Sequence, residues 1–388
     1  MQRRHCWIAL QTTSDRYGVR HPALSDSLIP PTSSIDFLRD YVSQSRPCLI
    51  ENTIPGDTPA QQGLTLSLDE LVDKCDASQV QLTVDVTPDG YGDIDRTVRG
   101  DNSTTKRMFV KPQEKTMTLL DFRTQLRSER EKGDSISRSY QFDQDGRIIL
   151  PLIDEQQGEA NTAIPFCTTN SQVLYYSRQN DCLRTELKPI FDTNIFPSTF
   201  PWAEEAFGTG PPDAINLWLG DDRAVSSMHK DHYENLFYVL SGEKVFTLCP
   251  PGDAPFLHQR EFACGTFQQQ QGGDWAVVAN TDTDDDSTTL IPWIESDVES
   301  LFDQSSRFHQ LQRFPRLSRA HPMKVIVRAG EMLYLPSLWF HRVTQTCETI
   351  GINYWYDMKF QSPLWCYFNL IQHMISAVDS DDDESIDN

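Results

Sequence analysis

The segment SSMHKDHYENLFYVLSGEKVF, residues 226–246, contains the pattern that decides the fold. His229 and Asp231 stand two residues apart in it, and a hairpin turn at Ser241-Gly242 follows. Side chains at positions i and i+2 of a strand point to the same face of the sheet. The pattern therefore predicts a strand whose His229 and Asp231 can hold one metal ion.

A second apolar run, AGEMLYLPSLWFHRV at residues 329–343, contains His341. Two histidines and one carboxylate form a ligand set that leaves half of an octahedral iron(II) site open. An H-x-D pair alone is weak evidence, since these side chains can also be ordinary barrel residues hydrogen-bonded to neighbours. Lys244 enters an apolar strand one hairpin beyond the pair; its ammonium either reaches the surface or meets a ligand carboxylate.

Short apolar or alternating runs recur at hairpin spacing through the second half of the chain. Eight such strands in two sheets make a double-stranded β-helix, the jelly-roll or cupin fold. We expect a mainly β protein of this type, with flanking helices. The eight predicted strands are Ile215–Leu219, Val225–Asp231, Leu236–Leu240, Lys244–Cys249, Lys324–Arg328, Met332–Leu335, Arg342–Cys347 and Gly351–Tyr356.

The remaining patterns predict segments that flank this barrel, and we expect all of them to form one catalytic unit with it. SIDFLRDYV, LSLDELVDK and residues 116–130 predict helices, and VQLTVDV predicts a strand. Polar stretches at 99–107, 143–161 and 264–321 read as loop-like insertions. The predicted regions are an N-terminal extension at 1–33, an α/β flanking subdomain at 34–200, the barrel at 201–360 with its insertion at about 264–321, a C-terminal helix at 361–377 and an acidic disordered tail at 378–388.

Four segments resemble the JmjC-domain oxygenases of the cupin-like subgroup. The resemblance runs, with gaps, from about Ser34 to about Ile375, and together the segments are more specific than the metal triad. They are FLRDYVSQSRPCLIENT at 37–53, VTPDGYGD at 86–93, INLWLGDDRAVSSMHKDHYENLFYVLSGEKVF at 215–246, and VRAGEMLYLPSLWFHRV with INYWYDM within 327–358.

The resemblance implies a role for eight residues. His229, Asp231 and His341 match the iron ligands of the family. The expected contacts of 2-oxoglutarate are Lys244 to its distal carboxylate, Tyr175 (with Tyr176 as a rival) and Ser226 to the same carboxylate, and Asn235 and Asn353 near the metal.

By the same resemblance, the protein uses Fe(II), 2-oxoglutarate and O2 to hydroxylate a lysyl side chain of a protein. The implied substrates are translation-associated, developmentally regulated GTP-binding proteins. Two other functions stay open: N-methyl-lysine demethylation or cleavage of histone tails, and a non-catalytic cupin-like scaffold. The helix after the barrel can support a homodimer in this family.

Composition limits the partners further. The formal net charge is −22, which argues against direct nucleic-acid binding and is compatible with a basic protein substrate, or simply with solubility. Nine cysteines without a C-x-x-C pair suit a reducing compartment. No apolar run approaches membrane-spanning length, so we expect a protein of the cytoplasm or nucleus without membrane contact.

Overall fold

The computed structural model describes most of the chain, and the predicted N-terminal extension lies outside the described residues except for Ser33. So does the acidic run TDTDDDSTT at 281–289. Among the described helices, none combines the length and apolar character needed to cross a membrane. The described residues are 33–51, 65–100, 104–132, 149–153, 172–271, 273–280 and 290–384.

Strands dominate the architecture. They are β1 Cys48–Glu51, β2 Gln81–Thr87, β3 Tyr91–Gly92, β4 Ile94–Arg99, β5 Thr105–Lys111, β6 Gln113–Thr118, β7 Leu150–Ile153, β8 Val173–Tyr176, β9 Ala214–Gly220, β10 Val225–His229, β11 Tyr233–Ser241, β12 Glu243–Cys249, β13 Gln259–Gln269, β14 Trp275–Ala279, β15 Leu290–Ile294, β16 Met323–Arg328, β17 Glu331–Leu335, β18 Phe340–Gln345 and β19 Thr349–Asp357.

Helices flank the strands. They are α1 Ser34–Phe37, α2 Leu68–Asp73, α3 Leu119–Glu131, α4 Lys188–Phe191, α5 Pro201–Phe207, α6 Gln304–Arg313 and α7 Pro363–Glu384. A π-helical turn continues α1, and three short 3₁₀ turns lie between β12 and β16. Ser33 and Ser67 cap α1 and α2 through their hydroxyls, as the predicted starts of these helices require.

All eight strands predicted for the barrel are present, and they divide equally between two sheets. The larger sheet has the order β1-β17-β11-β19-β9-β8-β2-β6, and the smaller has the order β16-β12-β18-β10-β3. The barrel strands β17, β11, β19 and β9 are adjacent in the first, and β16, β12, β18 and β10 are adjacent in the second. The predicted jelly-roll fold is confirmed.

A buried apolar layer contributed by both sheets holds the barrel together. The larger sheet contributes residues such as Phe237 and Leu333, and the smaller contributes residues such as Phe246 and Val325. Each is at most 5% exposed. Full burial of one such side chain stabilises the fold by about 1.5–3 kcal/mol, so this layer fixes how the two sheets face each other.

The N-terminal flanking region is continuous with the barrel. Its strands β1, β2, β6 and β8 extend the larger sheet at both ends, so the predicted α/β region shares one sheet with the jelly roll. Phe37 of α1 is fully buried and packs edge-on against Tyr334 of β17. The first helix therefore covers the outer face of the barrel.

The helix predicted over 116–130 starts later than its sequence suggests. Residues 116–118 belong to β6, which pairs with β2 in antiparallel register. Thr118 then caps α3, its hydroxyl accepting a hydrogen bond from the Asp121 amide. Pairing with a distant strand outweighs local helix propensity here, because propensity differences are only a few tenths of a kcal/mol per residue.

The described residues of the predicted loop-like insertions include strands, and for these residues the prediction of loops is wrong. Strands β4, β5 and β7, in or beside the earlier polar stretches, join β13, β14 and β15 in a six-stranded sheet of order β14-β7-β4-β5-β13-β15. Strand β13 of this sheet begins at Gln259, before the predicted insertion start at about 264. Its parallel pairings, such as β5 with β13, join segments far apart in the chain, so local composition does not reveal them.

The closing helix is longer than predicted. α7 continues past Ala377 to Glu384, so residues 378–384 of the predicted disordered tail are helical, and residues 385–388 lie outside the described part. The extension contains neither glycine nor proline, and adding residues to an existing helix is far less costly than starting one.

Gly351 of β19 tests how tightly the inner layer is packed. A methyl group there would lie 2.6 Å from the ring of Phe237. We expect overpacking in Gly351→Ala to lower the free energy of unfolding by about 1–3 kcal/mol. Replacing a glycine within a strand by alanine stabilises by only ~0.5–1 kcal/mol, so the net effect is destabilising. Denaturant unfolding measures the change.

Gly252 provides the matched control, because a methyl group there meets no atom within 4 Å. Gly252→Ala should leave the free energy of unfolding within about 0.5 kcal/mol of the unmodified protein. Equal stabilities for the two variants would contradict the packing described here.

Candidate metal and co-substrate site

The pairing of β10 with β18 brings the two predicted histidines together. His229 lies directly opposite His341 in this antiparallel ladder, and their ring centroids are 4.2 Å apart. Asp231 completes the triad, with all three ligand atoms within 4.8 Å of one another. The three residues predicted as metal ligands therefore meet at one point.

Asp231 reaches this point differently from the prediction. The strand ends at His229, so Asp231 lies just beyond it rather than in a strand extending to residue 231. Its carbonyl accepts a hydrogen bond from the Leu338 amide at 2.9 Å, which fixes the segment against the loop before β18. The register of β10 is irregular between Ser226 and His229, and this local distortion ends the ladder early.

Backbone carbonyls orient both histidine rings. The Nδ1 of His229 lies 2.7 Å from the Ser227 carbonyl, and the Nδ1 of His341 lies 3.0 Å from the Trp339 carbonyl. Because a carbonyl only accepts, each Nδ1 carries the proton and donates. The Nε2 of each ring therefore keeps its lone pair for a metal. Metal-binding histidines usually donate a hydrogen bond from their other ring nitrogen in this way.

The charge state of the triad also suits a divalent cation. Burial and the neighbouring His341 together lower the pKa of His229 to about 4, so the ring is neutral at physiological pH. Burial alone would raise the pKa of Asp231, but the neighbouring rings of His341 and His229 bring it to about 2. Metal ligands must be neutral imidazoles and ionised carboxylates, and this triad meets both conditions.

A cavity of about 300 Å³ opens onto the triad. Polar residues from both barrel sheets line it, and this set includes every residue predicted to contact the metal or the co-substrate. These residues are Tyr175, Ser226, His229, Asp231, Asn235, Lys244, His341 and Asn353.

Lys244 is the unusual charge in this cavity. Its side chain is 1% exposed, and Nζ donates to the Tyr175 hydroxyl at 2.9 Å and to Gln345 Oε1 at 2.8 Å. Within the described part of the chain, no carboxylate pairs with it. Burial lowers the pKa of the amine to about 7. An ammonium held this way lacks its counter-ion, so the cavity is built to receive an anion.

The two candidate tyrosines face opposite sides of β8. The Tyr175 hydroxyl meets Lys244 inside the cavity and also hydrogen-bonds with Ser226. Tyr176 is fully buried in the other layer, where its hydroxyl donates to Glu186. Alternation along the strand therefore places Tyr175, and not Tyr176, at the predicted carboxylate position.

The two asparagines lie on adjacent strands of the larger sheet. Asn353 is 1% exposed, and its Oδ1 accepts a hydrogen bond from Trp218 Nε1 at 3.1 Å. Asn235 is 4% exposed, and its Oδ1 has no partner among the described residues. A buried amide oxygen without a partner is costly, which indicates that this atom faces a ligand.

Sequence reasoning did not find two further residues of the cavity region. Gln345 lies opposite Lys244 in the β12–β18 pair, and only the register identifies it. Trp293 comes from β15, inside the insertion, and stacks on His229 with a centroid distance of 6.3 Å and an interplanar angle of 5°. No local signal in LIPWI links this tryptophan to a histidine so far upstream.

Comparison with known proteins agrees with this geometry. The model of the cupin-like domain family matches residues 34–362. The human bifunctional peptidase and (3S)-lysyl hydroxylase JMJD7 is 34% identical over 90% of this chain and 88% of its own length. JmjC domain-containing protein E of Dictyostelium discoideum is 30% identical over 86% of this chain and 84% of its own length.

A plant relative shares the same extent of similarity. The lysine-specific demethylase JMJ32 of Arabidopsis thaliana is 32% identical over 88% of this chain and 84% of its own length. A family model that spans most of the chain and relatives matched along most of their length identify this chain as a member of the cupin-like JmjC-domain family, whose members are Fe(II)- and 2-oxoglutarate-dependent oxygenases.

Proposed function

We propose that this protein is a dioxygenase that hydroxylates a lysyl side chain of a protein substrate, using Fe(II), 2-oxoglutarate and O2. One observation carries the proposal: the His229, Asp231 and His341 triad and the unpaired ammonium of Lys244 share a single cavity. A metal at the triad and a carboxylate at the ammonium are what a bound 2-oxo acid needs at its two ends.

The triad would hold Fe(II) through three ligands and leave positions open for the co-substrate and O2. When bound, the metal with 2-oxoglutarate and O2 supplies the oxidising chemistry that replaces a substrate C–H bond by C–OH. The part of the protein is to hold this geometry in a cavity that excludes water.

Three residues would bind the distal carboxylate of 2-oxoglutarate. The ammonium of Lys244 and the hydroxyls of Tyr175 and Ser226 already form a connected group, so little rearrangement is needed. Hydrogen bonds to a charged carboxylate are roughly twice as strong as neutral ones. Asn235 and Asn353, on strands beside the triad, would orient the keto-acid end.

The choice of lysine is supported by the relatives and by charge. The human relative is named a (3S)-lysyl hydroxylase, and the plant relative a lysine-specific demethylase. A net charge of −22 favours a basic substrate region. We propose translation-associated, developmentally regulated GTP-binding proteins as substrates, met in the cytoplasm or nucleus.

Mass spectrometry of lysine-containing peptides from such GTP-binding proteins, incubated with protein, Fe(II), 2-oxoglutarate and O2, tests the proposal. We expect the gain of one oxygen on lysine and matching succinate. His229→Ala should abolish both, because two ligands remain where three are needed. His309→Ala, which removes an exposed histidine of α6, should leave both unchanged.

Two other outcomes would change the proposal. Succinate that depends on His229, without any modified lysine, would retain the oxygenase and reject these substrates. Full turnover in His229→Ala would contradict the metal assignment itself.

Demethylation is the second candidate, favoured by the name of the plant relative. Hydroxylation of an N-methyl group releases formaldehyde, whereas hydroxylation of a side-chain carbon leaves a stable product. Formaldehyde released from a methyl-lysine peptide in a His229-dependent reaction would therefore favour the demethylase. The peptidase activity in the name of the human relative would instead give cleaved peptides.

The affinity for 2-oxoglutarate should depend on pH through Lys244. With a pKa of about 7 in the free protein, the group is an ammonium below pH 7 and a neutral amine above it. Only the ammonium pairs with a carboxylate, so binding takes up a proton above pH 7. We expect the affinity to be constant at acidic pH and to fall by up to about tenfold per pH unit above 7.

Calorimetry without O2, with Fe(II) present, measures this profile. Lys244→Arg keeps its charge throughout and should give a flat profile over the same range. Lys244→Met should cost about 2–5 kcal/mol of binding, because the carboxylate then lies buried without a cation to pair with. A flat profile for the unmodified protein would contradict the assignment of Lys244.

We also propose that α7 pairs with a second copy of the chain. Tyr367, Leu370 and Met374 are 57–61% exposed and lie on one face of the helix at spacings of three and four residues. Leu370→Glu should shift a dimer to monomer in light scattering. Phe308→Glu, at an equally exposed site on α6, should not; a monomeric unmodified protein would contradict the proposal.

A further inference from the structure

The cavity has a carboxylate wall that neither the metal nor 2-oxoglutarate would use. Asp85 of β2 and Asp93, in the bend between β3 and β4, both line it. Asp85 lies opposite Tyr175 in the β2–β8 pair, which directs both side chains to the cavity side of the sheet. The two carboxylates lie close enough for the charge of Asp93 to raise the pKa of Asp85.

Asp93 is tied to the metal site through its backbone. Its carbonyl accepts a hydrogen bond from the hydroxyl of Ser227, two positions before His229. Its carboxylate accepts none from the described residues, and Lys111, the exposed last residue of β5, is the cation that acts on it. Burial raises the pKa of the Asp93 carboxyl, as expected for an acid that lacks a close cation.

Asp85 is only partly satisfied. The hydroxyl of Ser177 donates to it, but burial raises its pKa to about 6. Arg178 lowers this pKa slightly, yet its guanidinium is already ion-paired with Glu114 at 2.5 Å. Two neighbouring carboxylates without a dedicated cation in the fold make a place for a cation from outside.

A second unpartnered acceptor lines the same cavity. Asn235 is nine-tenths or more buried, at 4% exposed, and its Oδ1 has no partner among the described residues. Aspartate oxygens and an amide oxygen are all acceptors, so a ligand that brings hydrogen-bond donors fits them, while the amide nitrogen of Asn235 is the atom that can donate to the keto acid. An ammonium brings three donors.

Trp293 supplies an apolar surface beside this wall. Strand β15 packs against β10 and β4, the strands that border His229 and Asp93. The indole stacks parallel to His229 and contacts Phe109 of β5 at a centroid distance of 4.6 Å. A lysyl side chain needs such a surface for its methylene groups and acceptors for its charged end.

We propose that Asp85 and Asp93 accept the ε-ammonium of the substrate lysine, while Trp293 packs against its methylene groups. These three residues would then determine specificity for lysine, an inference that rests on the proposed lysyl hydroxylase function. A second metal ion fits the wall less well. Within the described part of the chain, the triad is the only place where three histidine, cysteine or acidic ligands meet.

Binding of paired peptides tests the inference. The probes are the lysine peptide from the GTP-binding proteins and the same peptide with norleucine, which keeps the methylene groups and lacks the ammonium. Calorimetry is carried out on the protein with Fe(II) and 2-oxoglutarate and without O2, so that no turnover occurs. We expect the unmodified protein to favour lysine by about tenfold or more.

Asp93→Asn should remove most of this preference by weakening the lysine peptide about tenfold or more, and should leave the norleucine peptide unchanged. Asparagine suits the left-handed backbone at this position, where φ is 49°, so the bend should persist. Asp85→Asn should act in the same direction. Asp192→Asn neutralises an exposed carboxylate directly after α4 and controls for overall charge. Unchanged 2-oxoglutarate affinity verifies folding.

Equal affinities for the two peptides, or a preference that survives in both cavity variants, would overturn the inference. The same peptides in air separate it from the proposed function. Aspartate-dependent binding without hydroxylation would reject the hydroxylase and support the recognition site. Lysine hydroxylation that is unaffected by Asp85→Asn and Asp93→Asn would support the hydroxylase and reject the recognition site.

Discussion

The antiparallel pairing of β10 with β18 is the constraint on which the site depends. It sets His229 opposite His341, although 112 positions separate them in the chain. A shift of one residue would turn one histidine to the opposite face of its sheet and dismantle the triad. The apolar layer between the two sheets opposes such a shift, because it would also expose the buried residues of β18. The stability of the barrel and the geometry of the metal site therefore share one cause.

Burial of Lys244 is the main electrostatic cost in this arrangement. Two neutral partners, Tyr175 and Gln345, solvate its amine, and burial still lowers its pKa to about 7. A core built for stability alone would place an apolar side chain here. A carboxylate that binds at this point forms an ion pair with the ammonium. The free energy of that ion pair offsets the cost of burying the charge, so the cavity has affinity for an anion.

The sequence predicted the barrel well because strand periodicity and turn residues are local properties. All eight strands and the meeting of His229, Asp231 and His341 were predicted. The sequence left Tyr175 and Tyr176 open, and only the structure places Tyr175 in the cavity. What the sequence missed depends on long-range pairing. Gln345 is identified only by its register with Lys244, and Trp293 only by the sheet that the insertion forms. That sheet joins short segments that lie far apart in the chain, so no local pattern predicts their pairing.

The distribution of charge in the cavity would let one small space bind two ligands of opposite sign. The ammonium of Lys244 belongs to the smaller sheet, whereas Asp85 and Asp93 come from the flanking strands beyond the barrel. Lys244 would attract an anionic co-substrate, and the two aspartates would attract a cationic side chain. The attraction between the two bound ligands would then favour binding of both together. A binding scaffold without turnover would not need both charges, whereas an oxygenase must hold its co-substrate at the metal while a substrate C–H approaches the same ion.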